Sequence, residues 1–288
     1  MGKFSRSWEL VKQSFGILRS DKQLMLFPIL SAAACLLVTL IIGTGGAFLN
    51  LPSMAAASAS GEKWTPAMSP WFYPSLFALY VANYFVIVFF NVALVGVANS
   101  RLVGGTWTFR DGIELAWARK GTILQWALVA ATVGVILKSL EERMGILGRI
   151  VMRIIGVAWA LACYFVVPVL AFEDLTPIEA VKRSSKLFKE TWGEKVVGGF
   201  SFSLVFFVLA LPGIGLFIAS IMFGIATGSA YAFLIAMALM IVYFLLLSVI
   251  SSAVQGIFNA ALYRYACFKQ VPPAFSSALI TQAWAPKA

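Results

Sequence analysis

The chain has 288 residues, of which 61% are hydrophobic and 12% are charged. A soluble domain has charges on about a quarter of its residues, so this composition excludes a water-soluble globular protein. The chain also contains no histidine, which removes the usual general base and the commonest transition-metal ligand. We therefore expect a membrane protein that is not an enzyme and that binds no metal and no cofactor.

Six apolar runs are long enough to cross a bilayer, for which a helix needs about 20 residues. Their predicted bounds are about 24–49, 71–98, 122–140, 154–172, 196–222 and 230–256. The fold class predicted from them is all-α: one polytopic membrane domain with six transmembrane helices in three hairpins, each hairpin preceded by a basic amphipathic helix. Residues 1–23 form the first such helix in this interpretation, and residues 257–288 form a tail.

The positions of Lys and Arg predict the orientation, because cations are retained on the cytoplasmic side of short loops. With the N-terminus inside, 17 of the 22 cations lie in inner segments. Both termini are therefore predicted to be cytoplasmic. The formal net charge of +10 is expected to attract anionic lipid headgroups. No nucleic-acid-binding motif accompanies it, so no nucleic acid partner is predicted.

The first amphipathic segment carries one apolar stripe on a charged helix. Its stripe consists of Phe4, Trp8, Val11, Phe15 and Leu18. Lys12 and Arg19 lie elsewhere on the helical wheel and are candidate lipid- or partner-binding residues.

Two proline-containing segments interrupt the apolar pattern. The loop after the first span contains Pro52, Gly61, Pro66 and Pro70, and we expect it to be irregular. In the fifth span, Pro212 stands beside Gly213 and should kink or break the helix.

The fourth span ends in a segment that combines a kink, two acids and a helix start. Pro168 should bend its inner end, because proline lacks a backbone donor. Glu173 and Asp174 could hold a divalent cation, but an ion-pair cluster with Lys182 and Arg183 is favoured. Thr176-Pro177-Ile178-Glu179 then has the residues of a helix N-cap, a proline at N1 and a capping box.

The helix that starts there is predicted to lie in the membrane interface. Its apolar stripe consists of Ile178, Val181, Phe188 and Trp192, and its candidate lipid- or partner-binding residues are Lys182, Arg183, Lys186, Lys189 and Trp192. The alternative is that this helix only packs beneath the bundle, with cations that fix the topology.

Short repeats support a threefold architecture. Residues Glu9–Ser14 match Glu179–Ser184 at four of six positions, and Phe90–Leu94 resembles Phe258–Leu262. The second match makes Asn91 and Asn259 pseudo-equivalent, and we expect both to bond to neighbouring helices. The middle copy, from Thr108 onward, is weaker, and matches of this length can also arise by chance in apolar sequence.

The segments Tyr164–Glu173, Ala180–Ser184 and Lys189–Glu194 resemble a family of uncharacterised bacterial and archaeal six-span proteins. This family is distantly similar to the membrane domain attached to some glycerophosphodiester phosphodiesterases. The resemblance implies an all-helical protein of the plasma membrane, the inner membrane of a bacterium. It implies no catalytic residues, because the phosphodiesterase barrel is absent.

These features favour a non-enzymatic, self-associating membrane protein that organises the bilayer or a partner through its cytoplasmic amphipathic helices. The alternative is a transporter or channel for a small solute or a lipid, which a broken fifth span would suit. Against it stand the lack of charge within the spans and the parallel order of the repeat. A lipid-modifying enzyme is the third reading.

Overall fold

The computed structural model describes residues 3–192, 201–227, 230–272 and 275, and no strand occurs among these residues. Their α-helices are α1 (Lys3–Ser20), α2 (Leu26–Ser60), α3 (Phe72–Leu102), α4 (Phe109–Ala118), α5 (Lys120–Arg143), α6 (Ile146–Ala162), α7 (Val166–Phe172), α8 (Pro177–Trp192), α9 (Ser201–Thr227) and α10 (Ala230–Phe268). Short 3₁₀ helices cover Lys22–Met25 and Pro66–Met68. The prediction of an all-α fold is confirmed.

Six stretches of the described residues are long and apolar enough to cross a bilayer. They are Lys22–Ser60, Phe72–Leu102, Lys120–Arg143, Ile146–Phe172, Val205–Ala226 and Phe233–Phe268. Many of their large apolar side chains are exposed, as expected of surfaces that face lipid. The chain is a multi-pass membrane protein. The predicted start of the fifth span at residue 196 and residues 273–274 and 276–288 of the predicted tail lie outside the described residues.

The first span is longer than predicted. Helix α2 runs through Pro52 and ends only at Ser60, so the prediction of irregular structure directly after the apolar run is wrong. The segment from Ala55 to Ser60 is rich in alanine, which has the highest helix propensity of all residues. The Ser53 hydroxyl donates to the Asn50 carbonyl at 2.8 Å and so supplies a donor within the proline turn.

The fourth span is interrupted near its predicted inner end. Helix α6 stops at Ala162, and α7 starts at Val166. Pro168 accounts for this position, because a proline ring clashes with the carbonyl four residues earlier. That carbonyl belongs to Tyr164, which lies at the centre of the interruption.

The fifth span is not broken. Helix α9 continues through Pro212, which removes the discontinuous helix that the transporter reading used. The Tyr243 hydroxyl of α10 donates to the Leu209 carbonyl of α9, beside the turn that proline disturbs. Gly213 is required there, because an added Cβ would lie 2.6 Å from the Tyr243 ring.

Contacts divide the chain into two compact units, each built from separate segments. Unit 1 comprises Met1–Pro28, Val97–Phe109 and Leu187–Ala288. In it α1 packs against α9 and α10, and Arg101 Nε lies 2.6 Å from Asp21 Oδ2. The Phe27 and Phe109 rings stack with centroids 4.8 Å apart. This polar and aromatic cluster joins the residues at the start of α2 to the end of α3 and the start of α4.

Unit 2 comprises Ile29–Gly96 and Arg110–Lys186. In it α2 and α3 run antiparallel and in contact. Asn83 of α3 donates to Thr39 Oγ1 at 3.2 Å, and further along an added Cβ on Gly46 would lie 3.1 Å from Ser75 Cβ. Helix α5 packs against α6 in the same unit. The interruption after α6 and the start of α8 also belong to it.

Candidate functional site

The interruption in the fourth span is tied to α8 by a buried hydrogen bond. The Phe165 N–H, which the break leaves without a helical partner, donates to Ser184 Oγ at 2.9 Å. Both residues are completely buried. A buried N–H without a partner is costly, so this contact fixes α8 against the end of α6. Sequence reasoning identified Ser184 only as a repeat position and missed this role.

Two ion pairs hold the connection between α7 and α8. Arg183 Nε lies 3.0 and 3.1 Å from the two carboxylate oxygens of Glu173. Arg119 donates to Asp174 Oδ1 at 2.7 Å. The two acids considered for a divalent cation are thus engaged with arginines. No group of metal-ligating residues occurs in the part of the chain that the structure describes.

The first turn of α8 is closed by a carboxylate. The Thr176 hydroxyl and backbone N–H donate to Glu179 Oε2 at 2.7 and 2.9 Å. These two hydrogen bonds, with a smaller contribution from Lys182, lower the pKa of Glu179. Proline at the next position, Pro177, has no N–H to leave unpaired. The helix start predicted from the sequence is where the structure places it.

Around α8, three faces follow one another in order. The buried face consists of Ala180, Ser184 and Leu187, a set that the predicted apolar stripe did not include. Beside it lies an apolar strip in which Val181 and Phe188 are half-buried and Ile178 is 62% exposed.

The third face carries the predicted cations. Lys182, Lys186 and Lys189 are exposed, whereas Arg183 is half-buried in its ion pair with Glu173. The side chain of Trp192 lies outside the described residues. An apolar strip between a packed face and a row of lysines suits a helix at the boundary of acyl chains and headgroups.

Helix α1 repeats this order of faces. Leu10, Ser14 and Leu18 are buried, and Trp8 and Phe15 are 46% and 43% exposed. Lys12 and Arg19 are exposed on the next face. The predicted stripe therefore divides between a packed side, which includes Val11, and an outward aromatic strip. The side chain of Phe4 lies outside the described residues.

The sequence match between the two helices corresponds to a match in burial. Ser14 and Ser184 occupy the same place in the matched segments, and both are completely buried. Their hydrogen bonding differs, because Ser14 Oγ finds no partner among the described residues. The middle helix, α4, buries Gly112 and Ala116.

The end of α4 and the start of α5 present an aromatic side chain and a cation outward, as α1 does. Trp117 is 61% exposed, and Lys120 Nζ lies 4.3 Å from its ring centroid. A cation at this distance over an indole face is favourable. The sequence analysis gave this copy no binding residues, although Trp117 next to two basic residues was the available signal.

The remaining predicted residues lie away from this site along the chain. Asn91 lies in α3 and Asn259 in α10, and Pro212 lies in α9. Asn259 Oδ1 is buried and has no partner in the described part of the chain. The expected bond of Asn259 to a neighbouring helix is therefore not made through this oxygen. Pro168, Glu173, Lys182, Arg183 and Lys186 belong together in unit 2.

Comparison with known proteins gives one match. No curated protein and no solved structure is similar to the chain. The profile of a family of unknown function, DUF6159, matches residues 71–271, which is more than two thirds of the chain. The matched region includes α8 and the interrupted fourth span. The chain therefore belongs to the DUF6159 family.

Proposed function

We propose that this protein is a non-enzymatic integral membrane protein whose amphipathic helices α1 and α8 bind anionic lipid headgroups and so organise the bilayer around it. The observation that carries the proposal is the shared order of faces on the two helices. In each, a packed face adjoins an exposed apolar strip, and the strip adjoins exposed cations. A helix that only packed beneath the bundle would need no exposed Trp8 or Ile178.

The electrostatics support binding of anionic lipid. Each Lys or Arg near an anionic membrane surface contributes roughly 1 kcal/mol. The exposed set Lys182, Lys186 and Lys189 would thus contribute about 3 kcal/mol from α8 alone, before screening by salt. The ion pair with Glu173 neutralises Arg183 and orients α8, so the exposed lysines are the proposed lipid-binding residues.

The proposal places the protein in a plasma membrane, the inner membrane of a bacterium, with both termini cytoplasmic. The cation distribution along the sequence supports this orientation. Self-association is part of the proposal. The likeness to the membrane domain of glycerophosphodiester phosphodiesterases stays a prediction from the segments around Pro168 and Ser184, since no curated protein matches the chain.

An environment-sensitive fluorophore on Ile178→Cys tests the lipid contact of α8 in the full-length, otherwise cysteine-free protein. In vesicles rich in anionic lipid the probe should report an apolar surrounding, and added salt should reverse this because it screens surface charge. The same probe on Glu190→Cys, at an exposed position outside the apolar strip of α8, is the control. Equal signals from Ile178→Cys in anionic and neutral vesicles would contradict the proposal.

A further inference from the structure

A groove lies between α2 and α3 near their predicted outer ends. Its volume is about 250 Å³. Its lining residues are almost all apolar, with Gly43, Gly46, Asn50, Trp64, Ser75 and Leu79 among them. Since an apolar cavity of about 150 Å³ holds one benzene, this groove has room for a segment of one hydrocarbon chain. A whole lipid would not fit.

One polar group in its wall lacks a partner. The Asn50 side chain is 6% exposed, and its Nδ2 donates to the Gly46 carbonyl of its own helix at 2.6 Å. Its Oδ1 has no hydrogen-bond partner in the described structure. The other two polar residues are engaged, because Ser75 donates to the Phe72 carbonyl and Trp64 donates to Ser53 Oγ. Asn50 Oδ1 is therefore a neutral acceptor without a partner among the described residues, and because this oxygen is buried the amide must turn to present it to a donor in the groove.

The height of the groove along α2 places it near the headgroups. At 1.5 Å per residue, Gly43 and Asn50 lie about 25 and 36 Å from Leu26, the first residue of α2. A hydrocarbon core is about 30 Å thick, so the apolar part of the groove lies in the acyl layer and Asn50 lies at the headgroup boundary. Trp64 and the exposed Trp71 are the residues expected at this interface.

We propose that this groove binds a phospholipid with an ethanolamine headgroup, with one acyl chain between Gly43 and Leu79 and the ammonium group donating to Asn50 Oδ1. The end torsion of an asparagine side chain is broad, so the amide can turn its oxygen toward a donor in the groove. An ammonium gives a charge-assisted hydrogen bond, about twice as strong as a neutral one. A choline headgroup has no donor. This site is separate from the cation-bearing faces of α1 and α8, and its ligand is zwitterionic.

The glycines of α2 provide a matched pair of variants. An added Cβ at Gly43 meets nothing within 4 Å, and the same holds for Gly45. Gly43 lines the groove and Gly45 does not. Gly43→Leu should therefore fill the groove without a clash, whereas Gly45→Leu adds the same side chain outside it. Asn50→Leu removes the acceptor, and Asn83→Leu removes an amide that lies between the same helices outside the groove.

The test counts lipids that stay bound to the full-length protein in native mass spectrometry. The protein is taken from bilayers of equal amounts of ethanolamine and choline phospholipids with identical acyl chains, both of which are zwitterionic, so that the cations of α1 and α8 do not decide the preference. The wild type, Gly45→Leu and Asn83→Leu should retain ethanolamine lipid about tenfold over choline lipid, a ratio that corresponds to about 1.4 kcal/mol. Asn50→Leu should lose this preference and keep the bound lipid, and Gly43→Leu should lose the lipid itself.

Three results would overturn the proposal. They are equal lipid retention by Gly43→Leu and Gly45→Leu, an unchanged preference in Asn50→Leu, and equal retention of ethanolamine and choline lipid by the wild type. Thermal unfolding of each variant identifies any that fails to fold. For such a variant, Gly43→Ala and Asn50→Val replace the larger changes, with the same expected directions.

Discussion

Replacement of Ser184 by alanine deletes the hydroxyl that accepts a hydrogen bond from the Phe165 N–H in the interrupted fourth span. Because both residues are completely buried, no water replaces the lost acceptor. A buried donor left unpaired costs about 1–3 kcal/mol. Hydrogen bonds between membrane helices average about 0.6 kcal/mol in double-mutant cycles, where both partners are removed. The cost of truncating one partner should exceed that average, so we expect the free energy of unfolding to fall by about 1–3 kcal/mol.

Ser14→Ala is the matched control, because Ser14 occupies the equivalent position in α1, is equally buried, and has no partner for its hydroxyl among the described residues. Removal of an unpaired buried hydroxyl should be neutral or slightly stabilising. Ser185→Ala, which loses only a bond to the Lys182 carbonyl of its own helix, should change stability by less than about 0.5 kcal/mol.

The assay is reversible unfolding of each variant in mixed micelles with increasing denaturing detergent. Hydrogen exchange at the Phe165 amide gives a local measurement, which should become faster in Ser184→Ala and stay unchanged in Ser14→Ala. Equal destabilisation by Ser184→Ala and Ser14→Ala would refute the reasoning, because general loss of packing would then explain both.

Three other changes have expected outcomes. In a cysteine-free background, Gly145→Cys should react with an impermeant thiol reagent added outside cells and Lys182→Cys should not; labelling of position 182 would overturn the orientation. The pKa of Glu179 is lowered in the folded protein, so its ionised form stabilises the start of α8. This stabilisation is complete above about pH 4.3, the unfolded-state pKa, and it is lost as the pH falls through the folded-state pKa. Helicity of Glu179→Gln should therefore differ from wild type at pH 7 and converge with it in acid. Tyr243→Phe should destabilise by about 1 kcal/mol because its hydroxyl bonds a carbonyl of α9, whereas the exposed Tyr231→Phe should not; equal midpoints would contradict this.

The spans and the break after α6 follow from local chemistry. Composition and length decide which segments cross the bilayer. Pro168 was predicted to bend the inner end of the fourth span, and the structure has an interruption there. The start of α8 likewise needs only Thr176, Pro177 and Glu179. These features depend on neighbours in the chain, so the sequence was sufficient to predict them.

The sequence could not predict in this way that α2 and α9 continue through Pro52 and Pro212. Helices in membranes pass through proline when neighbouring groups satisfy the freed backbone. The Ser53 hydroxyl donates to the Asn50 carbonyl within α2, and the Tyr243 hydroxyl of α10 donates to the Leu209 carbonyl of α9, so both hydroxyls bond a carbonyl close to a proline. The Tyr243 contact joins residues 34 positions apart. A sequence rule that ends a helix at every proline takes no account of such a contact.

The packed faces of α1 and α8 were missed for a related reason. Stripe analysis assigns the largest apolar side chains to the core, but Ala180 and Ser184 are the completely buried residues of α8. Small residues permit close approach of helices in membranes, so Trp8 and Ile178 remain outward. The repeat match that aligned Ser14 with Ser184 contained this information, since identity at a small polar position is typical of packing.

The central claim is that the lysines of α8 bind anionic lipid, and lipid retention by the full-length protein tests it most directly. The variant Lys182→Gln, Lys186→Gln, Lys189→Gln is compared with a control that changes Lys138, Arg143 and Arg149, which lie on the predicted outer side, to Gln. Wild type and the control should retain anionic lipid in preference to choline lipid, and the α8 variant should lose at least tenfold of that preference, since roughly 1 kcal/mol is expected per cation. An equal preference in all three proteins would contradict the account.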